Sequence, residues 1–365
     1  MRAAIAAYLA AVRGLRCDGC QVVVTSGAQE ALDLVARLFL NPGDAVWMED
    51  PGYAGLRAAF AAAGARVTPV PVDAEGLDVE AGKRLAPDAT LAAVTPSHQY
   101  PLGVTMSLGR RLELLDWARA NDAWILEDDY DSEFRYAGKS LPALQGLDDQ
   151  GRVIYVGTFS KVLFPALRLG YLVLPEPLIE PYLRIRSVLS DTPSIAVQPP
   201  LAQFIEDGHF AAHLRRMRAL YAERQGAFIE AVGRHLDGVL EVAPDEAEIH
   251  LIAGIAPRAR VSDAAIAARA GAVGVLRRRR AAPGFGAGLR RAEREGGRDR
   301  PRGPGHGGAR LRRAAEWATI GGLCTEARHD RRPPIGRTNP RRRLRRAARR
   351  RRPLGEARHS RHRRG

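Results

Sequence analysis

Between residues 20 and 175, short apolar, β-branched runs alternate with longer stretches whose apolar positions recur every three or four residues. The short runs at 21–25, 45–49, 66–70, 91–95, 124–127, 153–156 and 171–174 read as strands. The stretches at 29–40, 53–63 and 108–121 read as helices, and in the last Leu108, Leu112, Leu115 and Ala118 fall at helical spacing. Asn41-Pro42-Gly43-Asp44 ends one of them with breaker chemistry. Near-continuous apolar strands separated by helices need cover on both faces. The expected fold class is therefore α/β: a three-layer αβα arrangement around a mostly parallel seven-stranded sheet.

Farther along, residues 209–232 read as one long helix with Phe210, Leu214, Met217, Leu220, Tyr221 and Phe228 near one face. Strand-like runs at 239–242 and 249–255 and an Ala-rich helix at 263–272 begin a small α+β unit that stops at Val275. The expected organisation is a large domain over 1–205, an interdomain helix with a truncated small domain over 206–276, and a tail over 277–365. The last 89 residues hold ten from the set Val, Ile, Leu, Met, Phe, Trp, Tyr and Cys, too few to offset the entropy of ordering, so this tail is expected to be disordered. Its run of Arg, Gly, Ala and Pro begins without a turn or linker and contains no Lys, which is what G+C-rich codons yield in a wrong reading frame.

Charge changes the picture only once it is divided along the chain. The formal net charge is +15, but the 30 Arg and 7 acids after position 276 give +23 and leave −8 for the rest. A basic pI therefore says nothing about the folded part. Without aromatic interleaving or Lys, the tail predicts nonspecific polyanion attraction rather than specific nucleic-acid recognition. No apolar run is long enough to span a membrane. The Ala-rich start carries Arg2, Tyr8 and Arg13 and no small-residue cleavage site follows, which suits a surface helix better than a leader. Cys17 and Cys20 form a lone C-x-x-C without the second ligand pair of a zinc site, so reduced thiols and a cytoplasmic location are expected.

Candidate chemistry centres on lysine. The chain has three Lys (83, 139 and 161) against 53 Arg. Lys161 ends the strand-like run Val153-Ile-Tyr-Val-Gly-Thr-Phe-Ser-Lys161, and an amine can form a Schiff base where a guanidinium cannot. Alone, it reads more readily as a surface lysine than as a reactive one. Thr158 precedes it by three residues and Arg168 follows by seven, a hydroxyl and a guanidinium suited to a phosphate monoester. Upstream, Val24-Thr-Ser-Gly-Ala-Gln29 is a strand, a small-residue turn and a helix start, either an anion site or a plain cap at Ser26-Gly27. Without G-x-G-x-x-G, a dinucleotide fold is not indicated. In Trp124-Ile-Leu-Glu-Asp-Asp-Tyr-Asp-Ser-Glu133 the acids fall where ligands of parallel sheets bind. They could hold a divalent metal, although the spacing of a calcium loop is missing. A carboxylate facing a pyridine nitrogen fits better, with Tyr130 on the ring's phenolic oxygen. Tyr53, just after another strand, could stack on a flat ring or be ordinary packing.

Glu49-Asp-Pro-Gly-Tyr53, Thr95-Pro-Ser-His-Gln-Tyr-Pro-Leu-Gly103, Glu127-Asp-Asp-Tyr-Asp-Ser-Glu-Phe134 and Gly157-Thr-Phe-Ser-Lys161 together resemble the fold-type-I, class I/II aminotransferases. The likeness is strongest to the aminotransferase-like domain of MocR-type regulators of the GntR family, over about residues 2–275. The resemblance implies pyridoxal 5′-phosphate (PLP) bound covalently to Lys161, with Asp128 on the pyridine nitrogen, Tyr130 on the phenolic oxygen and Tyr53 stacked on the ring. It implies that Gly27, Ala28, Gln29, Thr158 and Arg168 hold the phosphate, and that the protein is a homodimer. Tyr100 stands where aminotransferases usually carry an Asn, which alters one cofactor contact. No Arg beyond Val275 matches the family's substrate-carboxylate clamp, which predicts little turnover, and the regulators' winged helix-turn-helix has no counterpart here. Two functions follow: amino-group transfer between an amino acid and a 2-oxo acid, or an effector-sensing PLP module of a regulator.

Overall fold

The structure, a computed structural model, describes residues 1–135, 142–189, 193, 195–244, 251–256 and 277–278. Its central sheet has eight strands, in the order β1 (Val22–Thr25), β8 (Gly170–Val173), β7 (Val153–Thr158), β6 (Trp124–Asp129), β5 (Ala89–Val94), β2 (Ala45–Asp50), β3 (Arg66–Asp73) and β4 (Gly76–Leu77). Strands β3, β2, β5, β6 and β7 run parallel, whereas β8 is antiparallel to both of its neighbours. The seven expected strands are all present. The eighth, β4, has two residues and closes a hairpin on β3, too short to leave a periodic trace.

Ten helices stand in the described residues: α1 (Arg2–Arg13), α2 (Ala28–Phe39), α3 (Ala54–Ala62), α4 (Val79–Leu85), α5 (Leu108–Ala120), α6 (Leu144–Leu147), α7 (Phe159–Val162), α8 (Glu176–Leu189), α9 (Gln198–Glu206) and α10 (His209–Leu236). Successive strand residues serve opposite faces of the sheet, as the pleat requires. Val23, Leu91, Ala93, Leu126, Ile154 and Val156 enter one core with α2, α3 and Tyr182 of α8. On the other face Val22, Val24 and Tyr155 join α1 and α10, and Ala92, Val94 and Ile125 join α4 and α5. Each fully buried Leu or Ile contributes roughly 1.5–3 kcal/mol.

Three expectations about faces and bounds need correction. The first helix does lie at the surface, with Arg2 and Val12 exposed, but Tyr8 and Arg13 face inward with Ile5 and Leu9 and are buried. In α5, Leu108 and Leu112 are exposed, and the buried face is Arg111, Leu114, Trp117 and Ala118. Trp117 turns inward to stack on Trp47 at 3.9 Å, and the Arg111 guanidinium is satisfied by the carbonyls of Met106, Pro142 and Pro96. The long helix runs on to Leu236, where Val232 and Leu236 are buried.

A second, three-stranded sheet has the order β11 (Arg277–Arg278), β10 (Ala253–Ile255), β9 (Leu240–Val242). Arg277 and Arg278, assigned from sequence to the tail, instead pair in parallel with β10. The expected helix at 263–272 and the tail from 279 onward lie outside the described residues.

Candidate active site

Because β2, β5, β6 and β7 are parallel, their carboxyl ends share one edge of the sheet. The turns leaving that edge carry Tyr53, residues 95–103, Asp128 to Asp131, and Thr158 to Lys161. In open parallel sheets this edge is where ligands bind.

One end of the edge is built for an anion. Gly27 is the N-cap of α2, with φ +104, a value that strains any residue with a Cβ, and no side chain caps the helix there. The Ser26 hydroxyl is thus not the cap; the Ser26 N–H donates to Glu30 instead. Arg168, itself left-handed at φ +49, brings its guanidinium carbon within 4.0 Å of where a Cβ on Gly27 would stand. Gly170 permits this approach, since a Cβ there would lie 2.8 Å from Ala28 N and 2.7 Å from Gly27 C. Uncapped helix N–H groups with a guanidinium beside them make an anion cradle. Thr158 caps α7 by accepting from Ser160 N at 3.1 Å, and its hydroxyl donates to Leu169 O at a long 3.4 Å.

The other end is aromatic and acidic. Tyr53 donates its hydroxyl to Gln29 Oε1 at 3.1 Å, so α2 holds the ring, which stays 38 % exposed. Tyr100 sits edge-on to both Tyr53 (6.1 Å, 88°) and Tyr130 (6.2 Å, 86°). Asp128 is buried, and its Oδ1 has no hydrogen-bond partner among the described residues. Burial, and then the nearby Asp129 and Glu49, push its carboxyl up to about 7. A buried carboxylate oxygen with no donor is costly, and a cationic N–H is the group that would relieve it. Burial and the charges of Asp131, Asp128 and Glu49 push the Tyr130 hydroxyl well up, so it remains a proton donor. Lys161 is exposed on α7, and its charge lowers the carboxyl of Asp131 against the burial that raises it.

The structure thus brings Asp128, Tyr130 and Tyr53 to one end, Gly27, Ala28 and Arg168 to the other, with Gln29 joining them and Thr158 and Lys161 on the turn beside. Several supporting residues escaped sequence reasoning. Glu49 accepts from Thr95 N and Oγ1 and from Gln99 Nε2, and burial pushes it up to about 7 despite these donors. Gln99 Nε2 also reaches the carbonyls of Pro51 and Tyr100 at 2.8 and 2.6 Å, tying together the two turns that carry Tyr53 and Tyr100. His98 meets the Tyr130 hydroxyl at 3.2 Å. His98 and Gln99 stand inside a motif recognised in the sequence, yet only the fold shows what they touch. Among the described residues no group of His, Cys, Asp and Glu is placed to hold a metal ion, and no helix is long and apolar enough to cross a membrane. Cys17 and Cys20 are both free thiols.

The acids predict a pH dependence. Glu49, Glu127, Asp128 and Glu133 are each pushed up to about 7, by burial first. The folded state therefore binds more protons than the unfolded state between about pH 4 and 7. Stability present below that window is lost as pH rises through it. The melting temperature of the ligand-free protein is expected to fall from pH 5 to pH 8, and Asp128→Asn to make the fall shallower. A melting temperature flat or rising over that range would contradict the burial of these acids as charged groups.

An anion cradle and an unmet buried carboxylate, set along one edge of a mostly parallel sheet covered on both faces, are the chemical features of an α/β site that suits an anionic ligand bearing a cationic N–H. The sequence profile described as Aminotransferase class I and II matches residues 1–291, and the chain belongs to that family. It is 48% identical over 253 residues to the probable rhizopine catabolism regulatory protein MocR of Rhizobium meliloti, covering 69% of this chain and 51% of the relative. It is 32% identical over 258 residues to aromatic-amino-acid aminotransferase 1 of Thermococcus litoralis, covering 67% and 61%. Among solved structures, the Pyrococcus horikoshii kynurenine aminotransferase aligns with a TM-score of 0.65 at 30% identity, covering 74% of this chain and 68% of that one. The chain spans about half the length of the regulators it matches.

Proposed function

We propose that the chain binds PLP at Lys161 and uses it to move an amino group between an amino acid and a 2-oxo acid. The observation that carries this reading is Asp128 Oδ1, a buried acceptor without a donor, at the opposite end of the edge from the Arg168 and Gly27 cradle. A pyridinium N–H would meet Asp128, and a phosphate would meet Arg168 and the N–H groups of Ala28 and Gln29. Thr158 would turn its hydroxyl from the long bond to Leu169 O toward the phosphate. Bound PLP supplies an electron sink for the substrate's Cα–H bond. Asp128 would keep the ring nitrogen protonated, Tyr130 would donate to the phenolic oxygen and Tyr53 would cover the ring face. Lys161 would supply the amine that holds the cofactor, and the same amine would move the proton at the substrate's Cα.

The regulator relatives support a second reading, an effector-sensing PLP module. Under it an amino-acid-like effector would change the bound cofactor's spectrum without release of a 2-oxo acid. A second copy of the chain is the expected partner under either reading.

The deciding experiment is borohydride reduction of the PLP-treated chain, followed by peptide mapping. The expected label lies on the peptide holding Lys161 and disappears in Lys161→Ala. A reducible adduct that survives in that variant sinks the assignment.

A further inference from the structure

We propose that Gln99 is a positioning residue whose side-chain amide sets the pose of the Tyr53 ring over the ligand, by bonding the turn that carries Tyr53 to the turn that carries Tyr100. The inference rests on the PLP reading above and deepens it.

Gln99 is buried, and its side chain is polar at both ends, so each end needs a partner. The Nε2 end meets the carbonyls of Pro51 at 2.8 Å and Tyr100 at 2.6 Å, and the Oε1 end accepts from the N–H of Leu102 at 3.0 Å. A carbonyl accepts and a backbone N–H donates, so these three contacts fix which end of the amide is nitrogen. A flipped amide would set its oxygen against two carbonyls. A third acceptor near Nε2 is Glu49 Oε2 at 3.1 Å, the longest contact of the set. An amide has two N–H bonds, and the two shorter contacts take them. Neither carbonyl titrates, so the orientation of the amide does not depend on the charge of Glu49.

The backbone of Gln99 is held as well. Its N–H donates to Val104 O at 2.9 Å and its carbonyl accepts from Gly103 N at 2.8 Å. The side chain therefore reaches from a closed turn after β5 across to the turn after β2, where Pro51 stands two residues before Tyr53. The far end of the Tyr53 ring is fixed from α2: its hydroxyl donates to Gln29 Oε1, and Gln29 Nε2 donates to Gly55 O at 3.1 Å. The ring lies close over Gly55, where a Cβ would stand 2.5 Å from Tyr53 Cζ. Gln29 thus holds the tip of the ring and Gln99 the backbone at its root, and a ring held at both ends has one plane. The Tyr100 ring meets it at 88° and 6.1 Å, and both rings hang from segments bonded to the same amide. Without that amide the Pro51 and Tyr100 carbonyls lose their common donor, and the root of Tyr53 shifts while its tip stays on Gln29.

The test is the visible circular dichroism and the affinity of PLP on the full chain, measured after borohydride mapping has established the Lys161 label. PLP has no stereocentre, so its visible dichroism when bound reports the asymmetric placement of the groups around it. Tyr53→Leu is expected to change that signal per bound cofactor and to weaken PLP binding by roughly two- to tenfold, the range of one lost aromatic contact. Gln99→Met, which keeps the length of the side chain without a donor, should change the signal in the same sense and give most of the same loss. Joining the two should add little, because both act through one ring. Should Gln99→Met fail to fold, Gln99→Ala, which leaves room for water on the two carbonyls, takes its place. A lowered melting temperature with wild-type dichroism and affinity would make Gln99 a structural residue and overturn the proposal, as would fully additive losses, and either leaves the PLP reading intact. An unmoved signal in Tyr53→Leu overturns it as well, whereas a wild type without the Lys161 label fails at the PLP reading itself.

Discussion

Asp128→Asn is expected to keep PLP on the protein and to slow exchange of an amino acid's α-proton by on the order of a hundredfold or more. Retention is expected because the anion cradle of Gly27, Ala28 and Arg168, proposed to hold the phosphate, is on a separate wall of the site, built by α2 and the β7–β8 turn. The loss in rate follows from charge. With Asp129 and Glu49 raising it alongside burial, Asp128 already sits where an added positive charge is welcome, and a pyridinium there would draw its carboxyl back down. An amide offers the nitrogen a hydrogen bond but no charge to hold its proton, so the ring loses its pull on the Cα–H bond. Deuterium exchange on an accepted amino acid, read by NMR alongside cofactor content, separates the two quantities. Equal exchange rates in the variant and a competent wild type would remove Asp128 from the chemistry, and loss of cofactor without loss of rate per bound cofactor would make it an anchor.

What was legible in the sequence was what short-range pattern controls. The inner parallel strands β2, β5, β6 and β7 are buried on both faces, so each left a compact run, and the residues at their ends were picked out by motif and by resemblance. The helices were legible as elements but not always by face. In α5 the leucines at 108 and 112 look like the core stripe, yet Arg111 and Trp117 occupy it, because carbonyls from three separate segments satisfy the guanidinium and Trp47 meets the indole. No periodicity rule anticipates a buried Arg whose partners come from distant loops. The same limit hid Glu49 and Gln99, whose bonds join turns 48 to 50 residues apart. The anion cradle was half legible: the strand–turn–helix at Gly27 suggested it, while the approach of Arg168, set by the antiparallel strand β8, needed the fold.

Arg13 is the extreme case of the second kind, and its removal should have the largest effect on stability. Read from sequence it closes a surface helix; in the fold it is buried, donating from Nε to Asp129 Oδ2 at 2.9 Å and from Nη2 to Ser97. Asp129 Oδ2 also accepts from Tyr155 and Ser132, at 2.5 and 2.9 Å, so three donors, Arg13 the cationic one, meet that single oxygen, while Oδ1 has no partner among the described residues. Arg13→Ala takes away the cation hydrogen-bonded to that buried carboxylate and leaves it among Glu127 and Glu133, which are themselves raised to about 7. Breaking a buried pair in this way costs about 3–5 kcal/mol. Asp129→Asn on the Arg13→Ala background removes the stranded charge and should recover a good part of the loss, since the cost lies in the unpaired ion more than in the missing bond. Because Asp129 lies between Asp128 and Tyr130, and Ser97 adjoins His98, the single variant should also weaken PLP binding at temperatures where the protein is still folded. Urea unfolding of the two variants and wild type, with PLP titration of the folded proteins, tests both parts. A loss below about 1 kcal/mol, the range of an exposed ion pair, would mean that Arg13 does not hold Asp129 in the interior.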